Sequence, residues 1–210
     1  MHKITPVILA NNIEEFQEKL EALASFSNTL QIDIADGEFV ENKTIGLEEI
    51  KNLPSDKEIE VHLMVKAPSE YLEECKRLGA KRAIFHVEAG NVDNNVSKFK
   101  EKGLEVFLAI NPETNIADLD MFVKNIDGVL LMSVNPGLGG QKLIEAVLEK
   151  ATKLRGKYPD LIIEIDGGVN KENIKKVLAS GINVAAIGSG ILKAQNPKKE
   201  WQALEEFCNF

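Results

Sequence analysis

The sequence is poor in several of the residues that mark out particular protein classes. Cysteine occurs only as Cys75 and Cys208, with no CxxC spacing, which excludes a disulfide framework and a cysteine zinc site. Both read as helix packing. No apolar run reaches the roughly 18 residues of a membrane span, and the opening residues, followed closely by Glu14 and Glu15, lack the pattern of a signal peptide. A cytoplasmic location and no membrane partner are therefore expected. Basic residues are in deficit, 25 Lys and Arg against 33 Asp and Glu, for a net charge of −8. Such a surface repels nucleic-acid phosphates, so no nucleic acid partner is expected and small soluble ligands fit better. Linkers, low-complexity tracts and shifts of composition are also missing, and residues 1–210 read as a single domain.

What the chain does have is alternation. Short apolar runs of β character recur at Ile4 to Leu9, Leu30 to Ile34, Ile59 to Val65, Ala83 to Val87, Val106 to Ile110, Val129 to Val134, Leu161 to Ile165 and Val184 to Ile187. Between them lie residues at helical spacing, such as Ile13, Phe16, Leu20 and Leu23, or Leu143, Val147, Leu148 and Leu154. Gly79, Gly103 and Gly181 stand where helices should end. The runs are almost continuously apolar, as in parallel strands covered on both faces. Eight β-α units in about 200 residues define the small end of the (β/α)₈ TIM barrel class. An open doubly wound sheet would carry its glycine-rich loop after the first strand, where this chain has Asn11 and Asn12.

In such a barrel the chemistry sits at the C-terminal ends of the strands. Those ends hold Gln31 and Asp33 in the second run, His62 in the third, Gly137, Leu138, Gly139 and Gly140 after the sixth, Asp166, Gly167 and Gly168 after the seventh, and Gly188 and Ser189 after the eighth. Three adjacent glycine loops expose backbone N–H groups and form a cradle for a phosphate. Asp33 and Asp166 approach the axis from well-separated strands, a layout that suits removal of a proton beside a carbonyl and its return to the opposite face. With His62 they make a plausible divalent metal site. His86, inside the apolar run Phe85-His86-Val87, reads as packing or as support behind the site; Met64 and Met132 read as apolar lining.

The chain resembles the ribulose-phosphate 3-epimerase family along nearly its whole length. The matching stretches are Asp33 to Val40, Asn42 to Gly46, Val61 to Met64, Met132 to Gly137 with Gly139 to Gln141, and Glu164 to Gly168. The resemblance implies a phosphate-binding barrel of the pentose phosphate pathway that interconverts D-ribulose 5-phosphate and D-xylulose 5-phosphate. It further implies Asp33 as proton acceptor and Asp166 as proton donor, both ligating one divalent metal ion (Zn, Fe, Mn or Co) together with His62. The phosphorylated ketose substrate is implied to contact His62, Gly137 to Gly140, Gly167, Gly168, Gly188 and Ser189, and a homo-oligomer is implied.

Four residues, in three places, depart from the family pattern. The histidine expected as fourth ligand is Gln31, the first strand reads Pro6-Val7-Ile8-Leu9-Ala10 in place of Pro-Ser-Ile-Leu-Ser, and the methionine between the aspartates of the second strand is Ala35. A glutamine offers the metal only a neutral carbonyl oxygen, so weaker binding or a harder metal is expected. Two alternatives stand beside the epimerase of ribulose 5-phosphate: an epimerase of a different ketose phosphate, with Val7, Ala10 and Ala35 reshaping the pocket, and a phosphosugar-binding homologue impaired in catalysis.

Overall fold

The computed structural model describes residues 2–209. Eight parallel strands close into a barrel: β1 (Lys3–Leu9), β2 (Thr29–Ala35), β3 (Glu58–Met64), β4 (Arg82–His86), β5 (Glu105–Ile110), β6 (Gly128–Met132), β7 (Ile162–Asp166) and β8 (Val184–Ile187). Each pairs with the next, and β8 returns to β1. The (β/α)₈ barrel expected from the alternation is the fold observed. β2 is buried at every position, with Leu30, Ile32 and Ile34 alternating with the buried polar Gln31 and Asp33.

The outer layer consists of α1 (Ile13–Ala24), α2 (Leu72–Arg77), α3 (Val92–Glu101), α4 (Ala146–Lys157), α5 (Ile174–Ala179), α6 (Ser189–Leu192) and α7 (Pro197–Glu205). The Asn12 side chain caps α1 by accepting from the Glu15 N–H at 2.9 Å. The helix buries Phe16 and Leu23 against the barrel. Leu143, grouped with α4 by its spacing, lies just ahead of that helix. Gly79, Gly103 and Gly181 do follow helices and take positive φ values of 71°, 80° and 95°.

Two of the eight expected helices are replaced. The β2–β3 and β5–β6 connections contain only 3₁₀ turns, Leu47–Glu49 and Ile116–Leu119. The first connection includes Gly37, Gly46 and Pro54, all poor helix formers. In the second, Asn115 caps a short turn, and turns suffice to bury Leu119, Phe122 and Ile126.

The barrel interior is divided. Ile84, Phe107, Ala109, Leu130, Met132 and Val134 form an inner apolar cluster on the β4 to β6 side. Facing it are buried polar residues of β1, β2, β3 and β7: Thr5, Gln31, Asp33, Glu60, His62, Glu164 and Asp166. Below the site, Arg82 donates to Glu60 at 2.6 Å, lies 3.6 Å from Glu164, and stacks its guanidinium 3.9 Å above the Phe107 ring. Gly128 makes room for that ring, since a Cβ there would stand 2.4 Å from Phe107.

Cys75 is buried in α2, and burial pushes its thiol up to about 12; both cysteines are free. Among the described residues no helix is long and apolar enough to cross a membrane.

Candidate active site

Strand register brings the reactive side chains together. Asp33 of β2 lies level with His62 of β3, and Met132 of β6 lies level with Asp166 of β7. Because side chains alternate along a strand, Gln31 and Asp33 both face inward, as do Glu60 and His62, and Glu164 and Asp166. Asp33, His62 and Asp166 place ligand atoms within 4.8 Å of one another, and all three residues are buried. His62 Nδ1 lies 3.3 Å from Asp33 Oδ1 and 3.5 Å from Asp166 Oδ2.

Gln31, also fully buried, joins the aspartates. Its Nε2 donates to Asp33 Oδ1 at 2.8 Å and to Asp166 Oδ2 at 2.7 Å, while its Oε1 has no partner. The orientation has an electrostatic reason: turned over, the amide would aim its carbonyl oxygen at two carboxylates. Gln31 therefore meets the aspartates through its nitrogen, although a ligand role requires its oxygen.

The charge states follow from burial and from these contacts. Burial and the facing Asp166 carboxylate raise the Asp33 pKa, against the hydrogen bonds from His62 and Gln31. Burial disfavours the charged form of His62, yet hydrogen bonds to Asp166 and Asp33 outweigh it and lift the imidazole to about 9. The donor set fits a divalent cation. Two carboxylate oxygens and one imidazole nitrogen lie within 4.8 Å of one another, and Gln31 Oε1 is a buried oxygen with no partner.

Above the aspartates a cavity of about 470 Å³ opens at the C-terminal end of the barrel. Asp33 and Asp166 form part of its wall, as do Gly137, Leu138, Gly139, Gly140, Gly167, Gly168, Gly188 and Ser189. Gln31 and His62 are not on the wall; they touch the aspartates from below. Of Val7, Ala10 and Ala35, Val7 lines the cavity, while Ala10 and Ala35 are buried away from its wall.

The glycine loops are fixed in place. Ser133 Oγ donates to Gly167 O at 2.6 Å and to Asp166 O at 3.0 Å, and Asn42 Nδ2 holds Gly137 O at 2.8 Å. At Gly168, with φ of 66°, a Cβ would stand 2.3 Å from Leu143 N, so only glycine fits.

Sequence reasoning missed Lys19 and Lys193, both on the cavity wall, and Lys193 Nζ lies beside Gly140. Neither lysine belongs to a spacing pattern that could have singled it out. His86 stands behind His62, with their Nε2 atoms 3.0 Å apart.

With this geometry in view, the comparisons with known proteins are specific. Residues 3–192 match the model of the ribulose-phosphate 3 epimerase family. The chain belongs to that family. A ribulose-phosphate 3-epimerase of Escherichia coli K12 is 35% identical over 205 residues, spanning 93% of this chain and 91% of that protein. The Bacillus subtilis epimerase is 34% identical over 209 residues, spanning 95% and 96%. Among solved structures, KGPDC from Streptococcus mutans aligns with a TM-score of 0.74 at 14% identity, covering 100% of this chain and 98% of that one. The 3-hexulose-6-phosphate synthase of Salmonella typhimurium gives 0.71 at 15% identity, covering 98% and 97%. At such low identity the structural likeness speaks to the barrel alone.

Proposed function

We propose that the chain interconverts D-ribulose 5-phosphate and D-xylulose 5-phosphate by inverting C3. The observation that carries this reading is a pair of buried carboxylates, Asp33 and Asp166, on the wall of a cavity that also carries three glycine loops.

The glycine loops around Gly139, Gly168 and Gly188 hold the phosphate through backbone N–H groups, with Lys193 adding charge. The sugar then lies across the aspartates. Asp33, as carboxylate, takes the C3 proton; the C3–H pair moves into a C2–C3 double bond and the C2 carbonyl oxygen gains charge. Asp166, as carboxylic acid, gives a proton to the other face of C3 and the carbonyl re-forms. Two facing buried carboxylates resist ionising together, so the pair holds one proton between them. When bound, a divalent metal such as zinc, iron, manganese or cobalt, held by Asp33, His62 and Asp166, supplies positive charge against the oxygen that becomes negative. The buried floor keeps water from the reacting carbon.

A cytoplasmic location belongs to the same reading. It is supported by the free Cys75 and Cys208 and by a rice relative, 33% identical, described as a cytoplasmic isoform. Val7 on the cavity wall favours one second reading, a preference for another ketose phosphate. The test is turnover of ribulose 5-phosphate beside hexulose 6-phosphates, with each of the four metals added. Preferred turnover of ribulose 5-phosphate is expected. Preference for a hexulose phosphate selects the second reading, and no turnover with any ketose phosphate refutes both.

A further inference from the structure

A chain of buried contacts runs outward from His62. His62 Nε2 and His86 Nε2 are 3.0 Å apart, and both imidazoles are fully buried. Beyond them, His86 Nδ1 lies 3.3 Å from Glu88 Oε2 as an ion-pair contact and has no hydrogen-bond partner of its own, which leaves Glu88 Oε2 as the acceptor it faces. The other carboxylate oxygen of Glu88 is committed elsewhere: Oε1 accepts from the Asn111 N–H at 2.8 Å and from the Thr114 hydroxyl. The Phe39 ring, 4.8 Å from His86, holds that imidazole in place.

Hydrogen counting along this chain leaves one arrangement that suits a metal. A carboxylate can only accept, so Glu88 places the His86 ring hydrogen on Nδ1. His86 Nε2 is then a lone pair, and it must receive the N–H of His62 Nε2. With Nε2 committed to His86, the hydrogen that His62 Nδ1 holds toward Asp33 and Asp166 is the one an incoming metal displaces to solvent, and the lone pair left behind faces the aspartates. We propose that Glu88 is a positioning residue, which acts through His86 to fix the ring hydrogens of His62 so that Nδ1 faces the aspartates as a ligand. Metal-binding histidines commonly anchor their second nitrogen on a carboxylate directly. Here the anchor is one residue removed. The inference rests on the reading of Asp33, His62 and Asp166 as a metal site.

Glu88→Gln tests this with almost no change of shape. Because Asn111 and Thr114 both donate to Oε1, a glutamine keeps its oxygen there and turns its NH₂ toward His86 Nδ1. His86 must then accept at Nδ1 and carry its hydrogen on Nε2, which collides with the His62 N–H and drives the His62 hydrogen to Nδ1. Glu88→Ala removes the acceptor without adding a donor and leaves His86 free to choose. The order of effects is thus opposite to that of a packing role, in which alanine would do more harm.

The experiment measures zinc affinity of the full chain by chelator competition for wild type, Glu88→Gln and Glu88→Ala. Ring ¹⁵N shifts of His86 are recorded on the zinc-free proteins. Glu88→Gln is expected to weaken zinc by about 10- to 100-fold, Glu88→Ala by less, with the His86 hydrogen on Nδ1 in wild type and on Nε2 in Glu88→Gln. Equal affinity in wild type and Glu88→Gln, an unchanged His86 tautomer, or a larger loss in alanine overturns the inference. A wild-type chain that holds no zinc refutes the metal reading separately, and the His86 tautomers then decide for or against the role of Glu88. If Glu88→Gln does not fold, Glu88→Ala is compared with wild type by the same two measurements: a mixed His86 tautomer with weaker zinc supports the role, and wild-type values for both overturn it.

Discussion

Gln31 Nε2 lies 2.7 Å from Asp166 Oδ2, a hydrogen bond across the barrel between residues 135 positions apart. With its second bond to Asp33, the amide clamps the two carboxylates that the proposed chemistry needs. Hydrogen bonds to charged groups are worth about 1.5–3 kcal/mol each. A metal that recruits Gln31 Oε1 must first break both. Gln31→His is therefore expected to tighten zinc binding by about 10- to 100-fold, the range seen when contacts around metal ligands change. A competition titration with unchanged affinity would show that position 31 does not reach the metal.

Lys193 places a cation beside Gly140 at the glycine cradle. Lys193→Ala should raise KM for the phosphorylated substrate by roughly fivefold, the upper range for a partly exposed ion pair, with little change in kcat. Steady-state kinetics at low and high salt provide the check. A fall in kcat at constant KM would mean that Lys193 acts on the reaction rather than on the phosphate.

Arg82 is the cation between Glu60 and Glu164, both buried on the barrel floor. Removing one partner of a buried ion pair strands the other charge, at a cost of about 3–5 kcal/mol. Arg82→Met should lose stability on that scale in urea unfolding. A loss below about 1 kcal/mol, the level of a surface pair, would contradict the role given to it.

Glu88 also carries a pH signature. Burial raises its pKa, but hydrogen bonds from His86, the Asn111 N–H and Thr114 outweigh this and hold it at about 2. A carboxyl depressed in the folded state contributes stability above its unfolded value of about 4.3, and loses that contribution as the pH falls through 2. The stability advantage of wild type over Glu88→Gln should be full at pH 6 and shrink between pH 4.5 and 2. An advantage that stays constant over this interval would place the carboxylate outside the hydrogen-bond network.

Much of the barrel was legible because parallel strands covered on both faces read as apolar runs, and all eight appeared within a residue or two of their observed bounds. The missing helices after β2 and β5 were not, since Leu47 and Leu119 can be buried by single turns as well as by helices. At the site, residue types and strand ends pointed to Asp33, His62 and Asp166. Which end of the Gln31 amide meets the carboxylates depends on a contact with β7, and no local pattern encodes it. The role of Arg82 was equally hidden, although the alternation Glu60-Val61-His62 and Glu164-Ile165-Asp166 placed two charged layers inside one barrel. His86 read as packing or support, and only its 3.0 Å approach to His62 connects it to Glu88.

The most direct test of a two-carboxylate epimerisation is solvent deuterium exchange at C3, followed by NMR in D₂O. Wild type should form xylulose 5-phosphate deuterated at C3. Asp166→Asn should exchange the C3 hydrogen of ribulose 5-phosphate without inverting it, and Asp33→Asn should do the same for xylulose 5-phosphate only, each still binding the phosphate ester. Inversion at near wild-type rate in either variant, or wild-type inversion without deuterium at C3, would contradict proton transfer between Asp33 and Asp166.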